Sequence, residues 1–191
     1  MNTSILQEVF AGTPFTAEEL ETIGSLLRRV DLKKGDIMLR KGQRVTNTHY
    51  VYSGCLRSFV IDESGRDHTL QFAIKDWWIS DYTALFSGDQ ALMNIECIQD
   101  ATIYKLSRKN MEQLYVDIPR FETFFRKKLE KRFTALQRRT LTNLALSAKE
   151  RYQAFLHAYP SIEQQVKNYH IASYLGITTE SLSRIRKDMM Q

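Results

Sequence analysis

Ile171-Ala172-Ser173-Tyr174-Leu175-Gly176-Ile177-Thr178-Thr179-Glu180-Ser181-Leu182-Ser183-Arg184-Ile185 is the run on which the architecture turns. Ile171, Ala172 and Leu175 take the inward positions of a short helix, and Ala172 is small where a second helix must cross. Gly176 can enter the left-handed conformation that ends a helix, which lets Ile177 tuck back between two helices. Thr178 then caps a second helix. Leu182, Ile185 and Met189 fall on its inner face, leaving Thr179, Glu180, Ser183, Arg184 and Lys187 outside. Two readings of that outer face stay open. It is the solvated side of a plain helical hairpin, or it enters a DNA major groove, where Glu accepts from a cytosine amine and Arg bonds a guanine edge bidentately. Thr, Ser and Lys would then hold phosphates. On the second reading the contacts are Thr178, Thr179, Glu180, Ser181, Ser183, Arg184 and Lys187.

Ahead of this unit, Ser147 to Tyr159 reads as a helix closed by Pro160, and Ser161 to Lys167 is too short for a full winged hairpin. Further back, Pro119 suits a helix's first turn. Phe121, Phe125, Leu129, Phe133, Leu136, Thr140 and Leu144 then recur at steps of four or three, flanked by Arg126, Lys127, Lys128, Lys131, Arg132, Arg138 and Arg139. Such a stripe either packs on the chain's own β-domain or forms a coiled-coil seam with a second copy. The length of the run favours the seam, with Phe125, Leu129, Phe133 and Leu136 as the interface.

Asp31 to Leu106 has a different texture: short alternating runs broken by Gly35, Gly42, Gly54, Gly65 and Gly88. That is the punctuation of antiparallel strands, with Asp62-Glu63-Ser64-Gly65 as a hairpin turn, and the spacing predicts a sandwich or jelly roll. The first expected element is a helix capped by Thr16, with Glu19 completing a capping box and Leu20, Ile23, Leu26, Leu27 and Val30 along one stripe.

The 191 residues are 43% hydrophobic and 26% charged, an ordinary globular balance. The net charge of +5 is unevenly spread. Residues 1–100 hold 10 Lys+Arg against 14 Asp+Glu, whereas residues 101–191 hold 17 against 8. Either a solvated basic helix or a polyanion-binding half produces this asymmetry. The N-terminal residues carry no signal-peptide pattern and no run is long and apolar enough for a membrane span, so a cytoplasmic protein is expected. Cys55 and Cys97 suggest neither a disulfide framework nor a C-x-x-C metal site.

The run from Ile171 to Ile185 resembles the helix-turn-helix of Crp/Fnr-type transcription regulators, in which Glu-(Ser/Thr)-hydrophobic-x-Arg opens the recognition helix. Here that pattern is Glu180-Ser181-Leu182-Ser183-Arg184. The resemblance implies that Glu180 and Arg184 read bases while Thr178 and Ser183 touch the DNA backbone; Thr179 stands where the family often has a basic reader. Leu32-Lys33-Lys34-Gly35-Asp36-Ile37-Met38-Leu39-Arg40-Lys41-Gly42 and Tyr52-Ser53-Gly54-Cys55-Leu56-Arg57 resemble the turns of the family's β-roll. The implied fold is α+β: an antiparallel β-roll (jelly roll) with flanking helices over 1–117, resembling a cyclic nucleotide-binding sensor domain, a dimerisation helix over 118–142 and a helix-turn-helix domain over 143–191.

Family members that bind cyclic nucleotides use a Gly-Glu pair and a later Arg. At the matching places this chain has Ser80-Asp81 and Ala91-Leu92, and between Asp76 and Tyr104 it has no Lys or Arg at all. A buried phosphate would meet an unfavourable field there, so cyclic AMP is not the expected effector. The candidate effector pocket is Ser80, Asp81, Tyr82, Thr83, Ala91 and Leu92, holding an unknown small molecule or none. Trp77, Trp78, Tyr82 and Phe86 either line an apolar pocket or fill a core. No metal, cofactor or catalytic residue is expected: two cysteines fall short of an iron–sulfur cluster, the histidines are scattered, and no nucleophile–base pair stands out. Expected partners are double-stranded DNA with an inverted repeat, a second copy of the chain and RNA polymerase, with no membrane. The competing reading is a ligand-binding or adaptor module of the same fold without DNA binding.

Overall fold

The computed structural model describes residues 3–160 and 162–190. Two long strands organise the N-terminal part: β3 (Asn47–Ile61) and β6 (Asn94–Ser107) pair antiparallel from Asn47↔Ser107 to Phe59↔Asn94, and their register shifts three times between Val51 and Leu56. Gly54 sits among these shifts with φ +86°, and a Cβ there would lie 2.3 Å from the Asp100 carbonyl oxygen. Only glycine fits. β1 (Arg28–Leu32) and β2 (Ile37–Leu39) pair with β6, while β4 (Asp67–Ala73) and β5 (Trp77–Ile79) pair with β3. The result is a six-stranded antiparallel sheet, β1-β6-β3-β4, with β2 and β5 alongside. Val51, Leu56, Ile79, Ile95 and Ile103 form a core cluster within it, and a cavity of about 690 Å³ lies against Ile95 and Ile103. At the β3–β4 turn the Asp62 carboxylate accepts the backbone N–H groups of Ser64 and Arg66 at 2.9 and 3.0 Å, which closes the expected hairpin.

The Thr16 capping box is present, with Thr16 and Glu19 each accepting the other's backbone N–H, and it starts α2 (Ala17–Leu26). Two expectations fail around it. A helix α1 (Thr3–Val9) precedes it, and Leu6, Val9 and Phe10 at its end are core residues. Val30 does not extend the helical stripe, because it stands opposite Ile103 in β1. The chain switches from helix to strand without a break in apolar spacing, and sheet pairing decides the matter.

Beyond α3 (Tyr82–Ser87) and α4 (Arg108–Asp117), α5 (Pro119–Ala145) starts on Pro119. Its apolar stripe divides between two surroundings. Phe125 is 1% exposed within the chain's own core, 5.4 Å ring to ring from Trp78, and Leu129 packs on the same cluster. These two are therefore not an exposed seam. Phe133, Leu136, Leu141 and Leu144 are exposed at 66%, 56%, 61% and 81%. The first half of α5 serves the β-roll, and the second half leaves its apolar residues uncovered.

α6 (Ala148–Ala158) carries a capping box between Ser147 and Glu150, and a 3-10 turn (Ile162–Gln164) leads to α7 (Asn168–Leu175) and α8 (Thr179–Met189). This helical unit lies on the roll. Phe72 of β4 packs against Phe155, Tyr159 and Tyr174, and Ser173 Oγ accepts from Thr69 N–H (2.9 Å) while donating to the Asp67 carbonyl (2.8 Å). Arg139 donates to the carbonyls of Leu70, Thr69 and Tyr174, joining α5, β4 and α7.

His170 on α7 is buried in this contact, and burial pushes it down to about 4; burial does the same to His49 in β3. A base depressed on folding binds fewer protons in the native than in the unfolded state between about pH 4 and its ordinary 6.5, so stability falls as pH drops through that window. Urea denaturation is expected to show a loss of about 3 kcal/mol from each of the two histidines between pH 7 and pH 4, and about half of the total disappears in His170→Gln. An unchanged pH slope in His170→Gln would refute that assignment.

Candidate nucleic-acid interface

α7 ends on Gly176, which takes the left-handed conformation (φ 67°, ψ 35°), and the Ile177 N–H returns to the Ala172 carbonyl at 3.0 Å. Thr178 is extended and its Oγ1 accepts the Ser181 N–H at 3.2 Å, starting α8 two residues after the turn. Ile171, Ala172, Leu175 and Leu182 are fully buried between the two helices, with Ile177 and Ile185 packed around them. Met189 does not complete the inner face; at 37% exposed it lies past the last contact that Leu182 and Ile185 provide.

Glu180, Ser183, Arg184 and Lys187 are exposed on the opposite side, with Thr179 and Ser181 partly covered in the first turn. Thr179 Oγ1 donates to Glu180 (3.1 Å), and the Glu180 carboxyl is held below its ordinary value first by its own backbone N–H and then by the Thr178 and Thr179 hydroxyls. It is therefore an ionised acceptor at neutral pH. Among the described residues no carboxylate lies within ion-pair distance of Arg184 or Lys187. Arg186 is different: it donates to Glu163 and Asn168 (2.7 Å each) and to the Tyr152 hydroxyl (3.0 Å), which ties α8 to the 3-10 turn, α7 and α6. The guanidinium that anchors the helix and the one left free are two positions apart. Between α6 and α7 the described residues form the 3-10 turn and no β-hairpin, so no wing flanks α8 there.

The expected effector cassette is a tight turn with its donors already used. Asp81 is fully buried, caps α3 by accepting from Ala84 N–H (3.2 Å), and accepts from Leu92 N–H at 2.7 Å. Ser80 donates to the Asn47 carbonyl, the Tyr82 hydroxyl meets Thr48 Oγ1 at 3.0 Å, Thr83 lies in α3, and Ala91 is buried while Leu92 is exposed. The chain's own carboxylate occupies backbone N–H groups that an anion would need. Of the four aromatic residues near it, Trp78 is buried on Tyr50 and Phe125, whereas Phe86 is exposed and stacks on Tyr82.

The model of the cyclic nucleotide-binding domain matches residues 29–117, from β1 to the end of α4. The regulatory protein HlyX of Actinobacillus pleuropneumoniae is 22% identical over 192 residues, covering 90% of this chain and 77% of that protein. Among solved structures, the c-di-GMP responsive global regulator CLP of Xanthomonas campestris superposes with a TM-score of 0.74 at 17% identity, covering 92% of each chain. FixK2 of Bradyrhizobium japonicum gives 0.75 at 17% identity, covering 86% of this chain and 84% of that one. The chain is therefore similar to Crp/Fnr-type regulators, and it shares its fold with CLP and FixK2. In this chain the domain matched by the cyclic nucleotide-binding model carries Asp81 on the donors of the cassette. Calorimetry is therefore expected to detect no tight binding of cyclic AMP or cyclic GMP. A dissociation constant in the low micromolar range would overturn this account of the cassette.

Proposed function

We propose that the chain is a sequence-specific DNA-binding transcription regulator that acts as a cytoplasmic homodimer and places α8 in the major groove. Glu180 and Arg184 read base edges, and Thr178, Thr179, Ser181, Ser183 and Lys187 hold the helix on the phosphates. The observation that carries this reading is the outer face of α8, where Glu180 and Arg184 are exposed while Leu182 beneath them is fully buried. The excess of 17 Lys+Arg over 8 Asp+Glu in residues 101–191 supports it, because neutralised phosphates release counterions. An adaptor role without DNA binding is less well supported, since it leaves the free Arg184 without a partner. A contact with RNA polymerase belongs to the same proposal. The test is the salt dependence of binding to duplex DNA, where a slope of several released ions supports it and flat or absent binding refutes it.

The exposed second half of α5 supports the dimer, with Phe133, Leu141 and Leu144 as its apolar contacts and Leu136 at the edge. Phe125 and Leu129 contribute indirectly by fixing α5 on the roll. Sedimentation at micromolar concentration is expected to give twice the 22.3 kDa chain mass, and Phe133→Glu is expected to give the monomer. A wild-type monomer that stays monomeric on DNA would refute the dimer.

A further inference from the structure

A cavity of about 300 Å³ lies where the roll, α5 and the helix-turn-helix unit meet, apart from the cassette; of the cassette residues only Tyr82 reaches its wall. Trp77, Trp78, Tyr82, Phe125, Tyr159 and Tyr174 give that wall six aromatic rings. Three wall residues carry a buried N–H with no acceptor: Gln71 Nε2, Trp78 Nε1 and Arg139 Nε. Gln71 and Trp78 are only 8% and 6% exposed. Buried donors are nearly always paired, and here the unpaired atoms are all donors. What they lack is an acceptor.

The charges on the wall specify the acceptor further. Lys128, Lys131 and Arg132 line it, and among the described residues none of them has a carboxylate within ion-pair distance. Burial pulls both Lys128 and Arg132 below their ordinary values, so each is a partly desolvated cation that an anion would relieve. The one carboxylate among these wall residues, Asp76, is engaged by the Tyr50 hydroxyl at 2.5 Å. Inorganic phosphate would use the cations and leave the aromatic wall wet, whereas an uncharged hydrocarbon would fill the wall and leave cations and donors unmet. Of the exposed apolar residues of α5, Phe133, Leu141 and Leu144 are absent from this wall and only Leu136 lies on it, so a second copy seated on the first three meets the cavity at its Leu136 edge alone.

We propose that this cavity binds a small organic anion, a carboxylate on an apolar body, with its charge among Lys128, Arg132 and the orphan donors and its body between the aromatic rings. The site is read by direct binding and does not depend on DNA recognition.

The chain's 2 tryptophans are Trp77 and Trp78, both on the wall, so intrinsic fluorescence of the full chain reports occupancy. Octanoate and 3-phenylpropanoate are titrated beside octan-1-ol and 3-phenylpropan-1-ol, their uncharged counterparts. At least one carboxylate is expected to change the emission saturably with a dissociation constant below about 1 mM and to bind about tenfold or more tightly than its alcohol, the ratio that a charge-assisted hydrogen bond gives. Arg132→Gln is expected to remove that ratio while leaving the alcohol unchanged, and Ala135→Phe, which adds a ring on the wall, to weaken both. Should Arg132→Gln fail to fold by circular dichroism, Lys128→Gln serves in its place. Alcohols binding as tightly as the acids, or neither acid binding below about 1 mM, would overturn the proposal and leave water as what meets the donors.

Discussion

Arg57→Met is expected to destabilise the chain by about 3–5 kcal/mol, the usual cost of removing one partner from a buried charge cluster. The Arg57 side chain is 4% exposed in β3. Its guanidinium donates to Glu96 of β6, to Asp67 of β4 at 2.5 Å and to Thr69 Oγ1 at 2.9 Å, and it lies 4.2 Å from the Phe59 ring centre. Methionine fills much of the volume but leaves two partly buried carboxylates facing each other across a neutral side chain. Burial opposes the Asp67 charge, and the Arg57 hydrogen bond and charge are what hold its carboxyl below the ordinary value. The cluster also extends beyond the roll, since Asp67 and Thr69 both bond Ser173 on α7, so the loss is expected to loosen the seating of the helix-turn-helix unit. Urea denaturation measures the first effect, and neutralising the acids in Arg57→Met/Asp67→Asn/Glu96→Gln is expected to recover part of it. A loss below about 1 kcal/mol would mean that solvent already screens the cluster.

Arg184→Ala is expected to cost about 1–3 kcal/mol of binding to the preferred site and to relax preference at one base pair of each half-site. Lys187→Ala should behave differently. A phosphate contact weakens binding to all sequences alike and lowers the salt slope by about one, because it carries charge and no base information. Fluorescence anisotropy on single-base variants of the selected site separates the two signatures. Equal losses across all variants for Arg184→Ala would move Arg184 from base reading to backbone positioning.

The local parts of this account were legible in the chain. A capping box, a left-handed glycine and an Asp-Glu-Ser-Gly turn act over two to five residues, and Thr16, Gly176 and Asp62 behave as their neighbours predict. The Leu182 anchor and the outward Glu180 and Arg184 follow from helical period alone. What periodicity cannot give is the partner. Phe125 and Phe133 lie eight residues apart on one apolar stripe, yet one is buried in the chain's own core and the other is exposed. Val30 kept helical spacing but went to a strand, since pairing with Ile103 depends on a residue 73 positions away. The seating of Ser173 on Asp67 and Thr69 and the orphan donors of the cavity are of the same kind, contacts between distant segments with no local signature.

Selection from random duplex DNA by the purified wild-type chain tests the central claim most directly. If α8 reads bases from each half of a two-fold dimer, the enriched sequences are inverted repeats with half-site centres about 34–36 Å apart, one helical turn of DNA. Enrichment of no sequence, or of a single site without an inverted partner, would contradict it.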